Sequence, residues 1–244
     1  MDRGEQEQQS FNFVLNKLAK RQYNSAVSEE DFQIICGAFQ TAAPNAKTSE
    51  FPDFVFDNGF IEHFEVTSSK ETSKGAKVKA AESAFERENK NVFEGMQNDP
   101  PTFEAQITLT TQVREMDCPS CSYEDFLTSF KRNWEHHIES LDKYNKNKDC
   151  GIFLIQQTGA PLVVKRNGTF SEFYHLQMDA DLLSYMEYYN NKIHYVIYCH
   201  QEFCDIISLK DLPKITYKQS ITFDVGRLKE TRLFLIADIN PNLM

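Results

Sequence analysis

The stretch that decides the fold is Phe51-Pro52-Asp53-Phe54-Val55-Phe56-Asp57-Asn58-Gly59-Phe60-Ile61-Glu62-His63-Phe64-Glu65-Val66-Thr67-Ser68. Two runs rich in aromatic and β-branched residues flank an Asn-Gly pair, which predicts a β-hairpin. The position of the turn decides which side chains meet. A two-residue loop, Asn58-Gly59, places Asp53 on the face of Glu62 and Phe64. A three-residue loop, Asp57-Asn58-Gly59, places it on the face of His63, Glu65 and Thr67. The second is favoured here, because Asp-Asn-Gly suits a type I turn followed by a left-handed glycine; Glu62 is the fallback acid. In either register Phe60, Glu62, Phe64 and Val66 share one side of the second strand, and Ile61, His63, Glu65 and Thr67 the other.

Three acids therefore lie among strand-forming residues. Burying an unpaired carboxylate is costly, and two of them brought together repel unless a cation sits between them. Hard oxygen donors of this kind suit Mg²⁺, which keeps several of its waters. The plain alternative is a hairpin with one solvated face, as antiparallel sheets often have.

Pro52-Asp53, followed twelve residues after the acid by Glu65-Val66-Thr67, resembles the PD-(D/E)xK superfamily of restriction-endonuclease-like nucleases. The resemblance covers Phe51 to Thr67 and extends more loosely to the following helix and the strand at Cys150 to Gln156. It implies acids on adjacent strands of a mixed sheet flanked by helices, with Asp53 and Glu65 binding Mg²⁺ or Mn²⁺. The family's lysine position, two after the second acid, is Thr67 here. Lys70, or Lys74 at the head of the next helix, is the substitute ammonium, with Thr67 positioning water and His63 at the edge of the site. The family often adds an acid from the first helix; Glu7, one turn before Phe11, is the candidate, and Glu30 competes.

Working outward, Phe11, Val14, Leu15 and Leu18 are spaced on one face of a helix over about Glu5 to Arg21. Ser28, with Asp31 three residues on, predicts the cap of a second helix ending near Ala42. A Lys-rich turn and helix follow the hairpin, from about Lys74 to Phe93, and then a strand over Thr102 to Thr111. Ser122 caps a helix bearing Phe126, Phe130, Trp134, Ile138 and Leu141. A buried strand at Cys150 to Gln156, a strand at Pro161 to Val164 and a helix over Asp179 to Tyr189 come next. Further strands lie at His194 to Cys199, Cys204 to Leu209, Ile221 to Phe223 and Arg232 to Ala237. This alternation predicts an α/β (mixed α+β) fold: a central mixed sheet flanked by helices, with a restriction-endonuclease-like core over 1–160 and a C-terminal extension, 161–244, packed on the same domain.

Composition bounds the partners. Six cysteines in 244 residues favour reduced thiols, and no apolar run reaches the ~20 residues that span a bilayer. The acidic, Gln-rich N-terminus does not read as a signal peptide, so the expectation is a cytoplasmic protein with no membrane partner. A net charge of −10 opposes broad attraction to nucleic acid, although Lys70, Lys74, Lys77 and Lys79 concentrate positive charge directly after the hairpin. Cys118-Pro119-Ser120-Cys121 is half of a zinc-knuckle spacing, completed only if Cys199, His200 and Cys204 come near it. His136 and His137 are adjacent and point different ways, one packed and one wet. No phosphate-binding or dinucleotide glycine loop and no G-x-S-x-G elbow occurs.

The resulting expectation is a Mg²⁺- or Mn²⁺-dependent endonuclease acting on DNA, in a restriction or phage-defence setting, with a homodimer among its allowed states. The alternatives are a non-catalytic nucleic-acid- or protein-binding module on the same fold, and an interaction protein that uses its aromatic C-terminal half.

Overall fold

A computed structural model describes residues 3–46, 50–69, 87, 107–116, 121–146, 148–166, 169–200, 203–214, 222–226 and 228–237. Helix α1 (Arg3–Ala19) leads through β1 (Asn24–Ala26) to α2 (Glu29–Thr41), β2 (Ala43–Pro44), β3 (Phe54–Phe56) and β4 (Gly59–Thr67). After β5 (Ile107–Met116) come α3 (Tyr123–Lys143), β6 (Cys150–Thr158), β7 (Leu162–Arg166), β8 (Thr169–Phe173) and α4 (Ala180–Glu187). The chain continues through β9 (Tyr195–His200), β10 (Phe203–Ser208), β11 (Thr222–Val225) and β12 (Leu228–Ala237). The expected Lys-rich helix, and with it Lys70, Lys74, Lys77 and Lys79, lies outside the described residues, as does Cys118.

Local chemistry starts the helices where expected. The Ser28 hydroxyl accepts from the Asp31 N–H at 3.1 Å and donates to its carboxylate at 2.9 Å, which satisfies one of the orphan donors at the head of α2. Ser122 and Asp125 repeat the arrangement on α3 at 3.0 and 2.7 Å. Asp179 caps α4 by accepting from the Leu182 N–H.

The central sheet has seven strands in the order β1-β10-β9-β6-β4-β3-β2. Strands β4, β6 and β9 run parallel to one another, while β3 and β10 are antiparallel to their neighbours β4 and β9. The class is thus mixed α/β, with helices on both faces. On one face α1 and α2 bury Phe11, Val14, Ile35 and Phe39 against Phe54, Ile61, Ile152, Leu154 and Ile197. On the other, α3 and α4 bury Phe126, Phe130, Trp134 and Met186 against Phe60, Phe64, Phe153, Ile155 and Val196. Each large side chain removed from water contributes about 2–3 kcal/mol. The stretch after 160 does not form a separate sheet alone, since β9 and β10 sit inside the central one. Smaller ladders join β11-β7-β8 and β12-β5. No described helix is long and apolar enough to cross a membrane.

The hairpin forms, but its turn corrects the expectation. Phe54 lies opposite Ile61, Val55 opposite Phe60 and Phe56 opposite Gly59, so the loop is Asp57-Asn58, one residue earlier than Asn58-Gly59 and one residue shorter than Asp57-Asn58-Gly59. Gly59 is not in the left-handed region; among described glycines only Gly159 has positive φ. The reason is steric. A Cβ on Gly59 would lie 1.8 Å from the Cys150 carbonyl oxygen, so glycine is required for β4 to approach β6 rather than for the turn.

Near the opposite edge, Asn24 of β1 and His175 converge on Asp205 of β10, which is 1% exposed. His175 Nδ1 lies 2.9 Å and Asn24 Nδ2 3.2 Å from Asp205 Oδ1, and the Leu176 N–H donates to Oδ2. The hydrogen bond to Asp205 raises the His175 pKa above its ordinary 6.5, against the opposing effect of burial. The folded state therefore holds this proton more tightly than the unfolded chain. The associated stability is complete below about pH 6.5 and fades as pH rises through the raised value.

Two outcomes are expected. Gly59→Ala lowers stability by about 2–3 kcal/mol through overpacking, read as a lower urea midpoint at unchanged slope. An NMR titration places the His175 midpoint above that of free histidine and returns it towards that value in Asp205→Asn; an identical midpoint in both proteins would remove the assigned cause.

Candidate functional site

Residues Phe51 to Asp53 enter β3 through a cis Phe51-Pro52 bond. Pro52 has no N–H to give to a ladder, and its carbonyl accepts instead from Asn45 Nδ2 at 2.9 Å. Asn45 N–H donates to the Asp53 carbonyl at 2.8 Å. The β3–β4 ladder stops at Phe54 and Ile61, and beyond it side chains replace backbone rungs. The His63 N–H donates to Asp53 Oδ2 at 2.8 Å, and the Asp53 N–H donates to Glu62 Oε2 at 3.0 Å. Each acid thus holds the other segment's backbone. Because Asp53 accepts from an N–H in the plane of the sheet, its carboxylate lies in line with β4, beside His63.

Burial makes this clasp consequential. Asp53 is 8% exposed, Glu62 3% and His63 5%. The second Glu62 oxygen, Oε1, lies 2.6 Å from His137 Nδ1 on α3. The His137 ring stacks on Phe64 with centroids 4.6 Å apart and planes at 14°. Both Glu62 oxygens are therefore bonded to protein donors. Of the adjacent histidines, His137 packs and His136 is exposed.

The expected facing of Asp53 with Glu65 is corrected by the register. The acid opposite Asp53 is Glu62, the fallback, and Glu65 belongs to the α1 face with Ile61 and His63. Glu65 is the one exposed residue of β4. Its backbone carbonyl accepts from Asn133 Nδ2 of α3 at 3.2 Å. Thr67 N–H donates to Ser129 Oγ at 3.2 Å, and the Thr67 and Ser69 hydroxyls lie 2.9 Å apart, so Thr67 helps to build the end of the strand. Neither Ser129 nor Asn133 is marked by a motif; only their place on the otherwise apolar face of α3 distinguishes them.

Along the α1 face, Glu65 is level with Gln156 of β6 and Cys199 of β9, and Thr67 with Thr158. Glu65, Gln156, Thr67 and Thr158 form a polar row at the C-terminal ends of β4 and β6, where open α/β sheets bind ligands, while Cys199 is buried in the apolar core. Phe11 of α1 stacks on Phe54, the residue after Asp53, at 4.5 Å. Glu7, one turn earlier, is 7% exposed on the same buried helix face, while Glu30 is exposed on α2.

No family model, curated protein or solved structure matches the chain.

The donor set limits which ion could fit. Among the described residues no group of three or more His, Cys, Asp or Glu is arranged to hold a metal. Asp53 lies opposite Glu62 while Glu65 is on the α1 face, so each offers a single carboxylate, a hard oxygen donor of the kind Mg²⁺ takes alongside its retained waters. The zinc-knuckle partners are dispersed. Cys199 and Cys204 face each other across β9 and β10, their Sγ atoms 3.8 Å apart. His200, next along the strand, points to the opposite face, and burial lowers its pKa to about 4. Cys121 pairs its backbone with Ser69.

His137→Ala leaves Glu62 buried without this donor and is expected to cost about 3 kcal/mol in urea unfolding. Adding Glu62→Gln to His137→Ala is expected to recover most of that loss, because the buried charge is gone while the side-chain oxygen still accepts from the Asp53 N–H. A double variant as unstable as the single one would contradict the pairing.

Proposed function

We propose that this chain is a nuclease of the PD-(D/E)xK kind, hydrolysing DNA phosphodiesters with Mg²⁺ or Mn²⁺, with Asp53 and Glu65 as its metal-binding carboxylates. One observation carries the reading. The Asp53 carboxylate is lifted out of the β3 ladder and fixed against β4, two residues before the single exposed side chain of that strand, Glu65. The helix-flanked mixed sheet, the parallel β4–β6 pair and the polar row beside Glu65 agree with this.

A bound Mg²⁺ supplies an acidified water and neutralises charge on the phosphate. Asp53 contributes a preset oxygen donor whose backbone is held from both sides, by Asn45 at its carbonyl and Glu62 at its N–H. Glu65 contributes a carboxylate open to solvent, and so to a phosphodiester approaching the strand ends. Gln156 and Thr158, level with Glu65 and Thr67, offer neutral hydrogen bonds to substrate or water. The ammonium role falls to Lys70 or Lys74, and Glu7 is a further acid on α1.

The second reading is a non-catalytic binding module on the same fold. It is favoured by Thr67 at the position of the family's lysine, with its hydroxyl engaged by Ser69.

The test is cleavage of plasmid DNA with Mg²⁺ or Mn²⁺. Asp53→Ala and Glu65→Ala are each expected to reduce the rate roughly 10²- to 10³-fold, the cost of removing an electrostatic group from a site. Tyr188→Ala, at a residue 83% exposed, is expected to leave the rate unchanged. Metal binding without cleavage selects the binding module, and cleavage indifferent to both acidic substitutions rejects the site.

A further inference from the structure

Glu62 and His137 have no counterpart in the PD and (D/E)xK positions, yet they control the backbone that carries Asp53. We infer that both are positioning residues for the Asp53 carboxylate, acting through hydrogen bonds without ligating the ion themselves; this rests on the nuclease reading. The geometry is a relay. His137 Nδ1 meets Glu62 Oε1 at 2.6 Å, Glu62 Oε2 accepts from the Asp53 N–H at 3.0 Å, and Asp53 Oδ2 accepts from the His63 N–H at 2.8 Å.

The relay answers a structural need. Asp53 precedes β3, where the β3–β4 ladder has stopped, and its N–H and side chain are held by Glu62 Oε2 and the His63 N–H in place of a backbone rung. Glu62 is 3% exposed and is itself oriented by the His137 ring, which lies flat on Phe64. A ligand held this way is preorganised, because its rotamer is set before an ion arrives. Partners one step behind a metal ligand commonly alter affinity or activity 10- to 100-fold. Glu62 also places a second carboxylate beside Asp53, and His137 hydrogen-bonds it from α3. The pair therefore joins the site to the helix behind it.

The experiment measures Mn²⁺ affinity by calorimetry on the full chain, together with the Asp53 amide resonance by NMR. Glu62→Ala is expected to weaken Mn²⁺ binding roughly 10- to 100-fold and to shift the Asp53 amide. Glu62→Gln, whose carbonyl oxygen can still accept from that amide, is expected to restore most of both. His137→Phe, which keeps a ring on Phe64 but cannot donate, is expected to weaken binding about tenfold and stands in if Glu62→Ala does not fold. Affinity and amide resonance unchanged in Glu62→Ala, or in His137→Phe, overturn the inference. A wild-type chain that binds no Mn²⁺ overturns the nuclease reading instead; the amide resonance then judges the relay alone, and an unmoved resonance overturns it too.

Discussion

The structure turns on the burial of β4 on both faces. It lies between β3 and β6 in the central sheet, with α1 and α2 over one side and α3 over the other. Such a strand is ordinarily apolar along its length. This one carries the acids Glu62 and Glu65, so each must find a partner inside the protein or reach an edge. Glu62 meets His137 and the Asp53 N–H, and Glu65 is exposed at the end of the strand. The desolvation penalty for charge selects these two solutions.

The same constraint shapes how two acids converge. Main-chain N–H donors oppose the repulsion between Asp53 and Glu62. Each accepts from the other segment's main chain, much as a capping box satisfies donors reciprocally at the head of a helix. Convergence of carboxylates is therefore weaker support for a cation than it is on electrostatic grounds alone. The proposed metal reading is supported by the fixed Asp53 carboxylate together with Glu65, which sits exposed where β4 ends.

Much of the architecture was legible in the sequence. The helical spacing in α1, α2 and α3 and the Ser-x-x-Asp caps at Ser28 and Ser122 are local, and local rules sufficed for them. The hairpin was legible too, as was the partition of Phe60, Glu62, Phe64 and Val66 from Ile61, His63, Glu65 and Thr67, which depends only on strand alternation. Strand β1 was missed, being three residues long and formed only by pairing with β10. The turn was misread because Asn-Gly is a strong turn signal, while the actual demand on Gly59 comes from Cys150, ninety-one residues further along the chain.

By itself, then, the sequence determined which residues form helices and strands, which faces are apolar, and that Asp53, Glu62 and Glu65 belong to one hairpin. Only the tertiary structure decided which acid faces Asp53 and what balances it. Those answers depend on how closely β6 approaches β4 and on where α3 brings His137, and both are contacts between segments far apart in the chain. A one-residue change of register reverses which side chains share a face at no cost in local propensity, so packing alone chose between them.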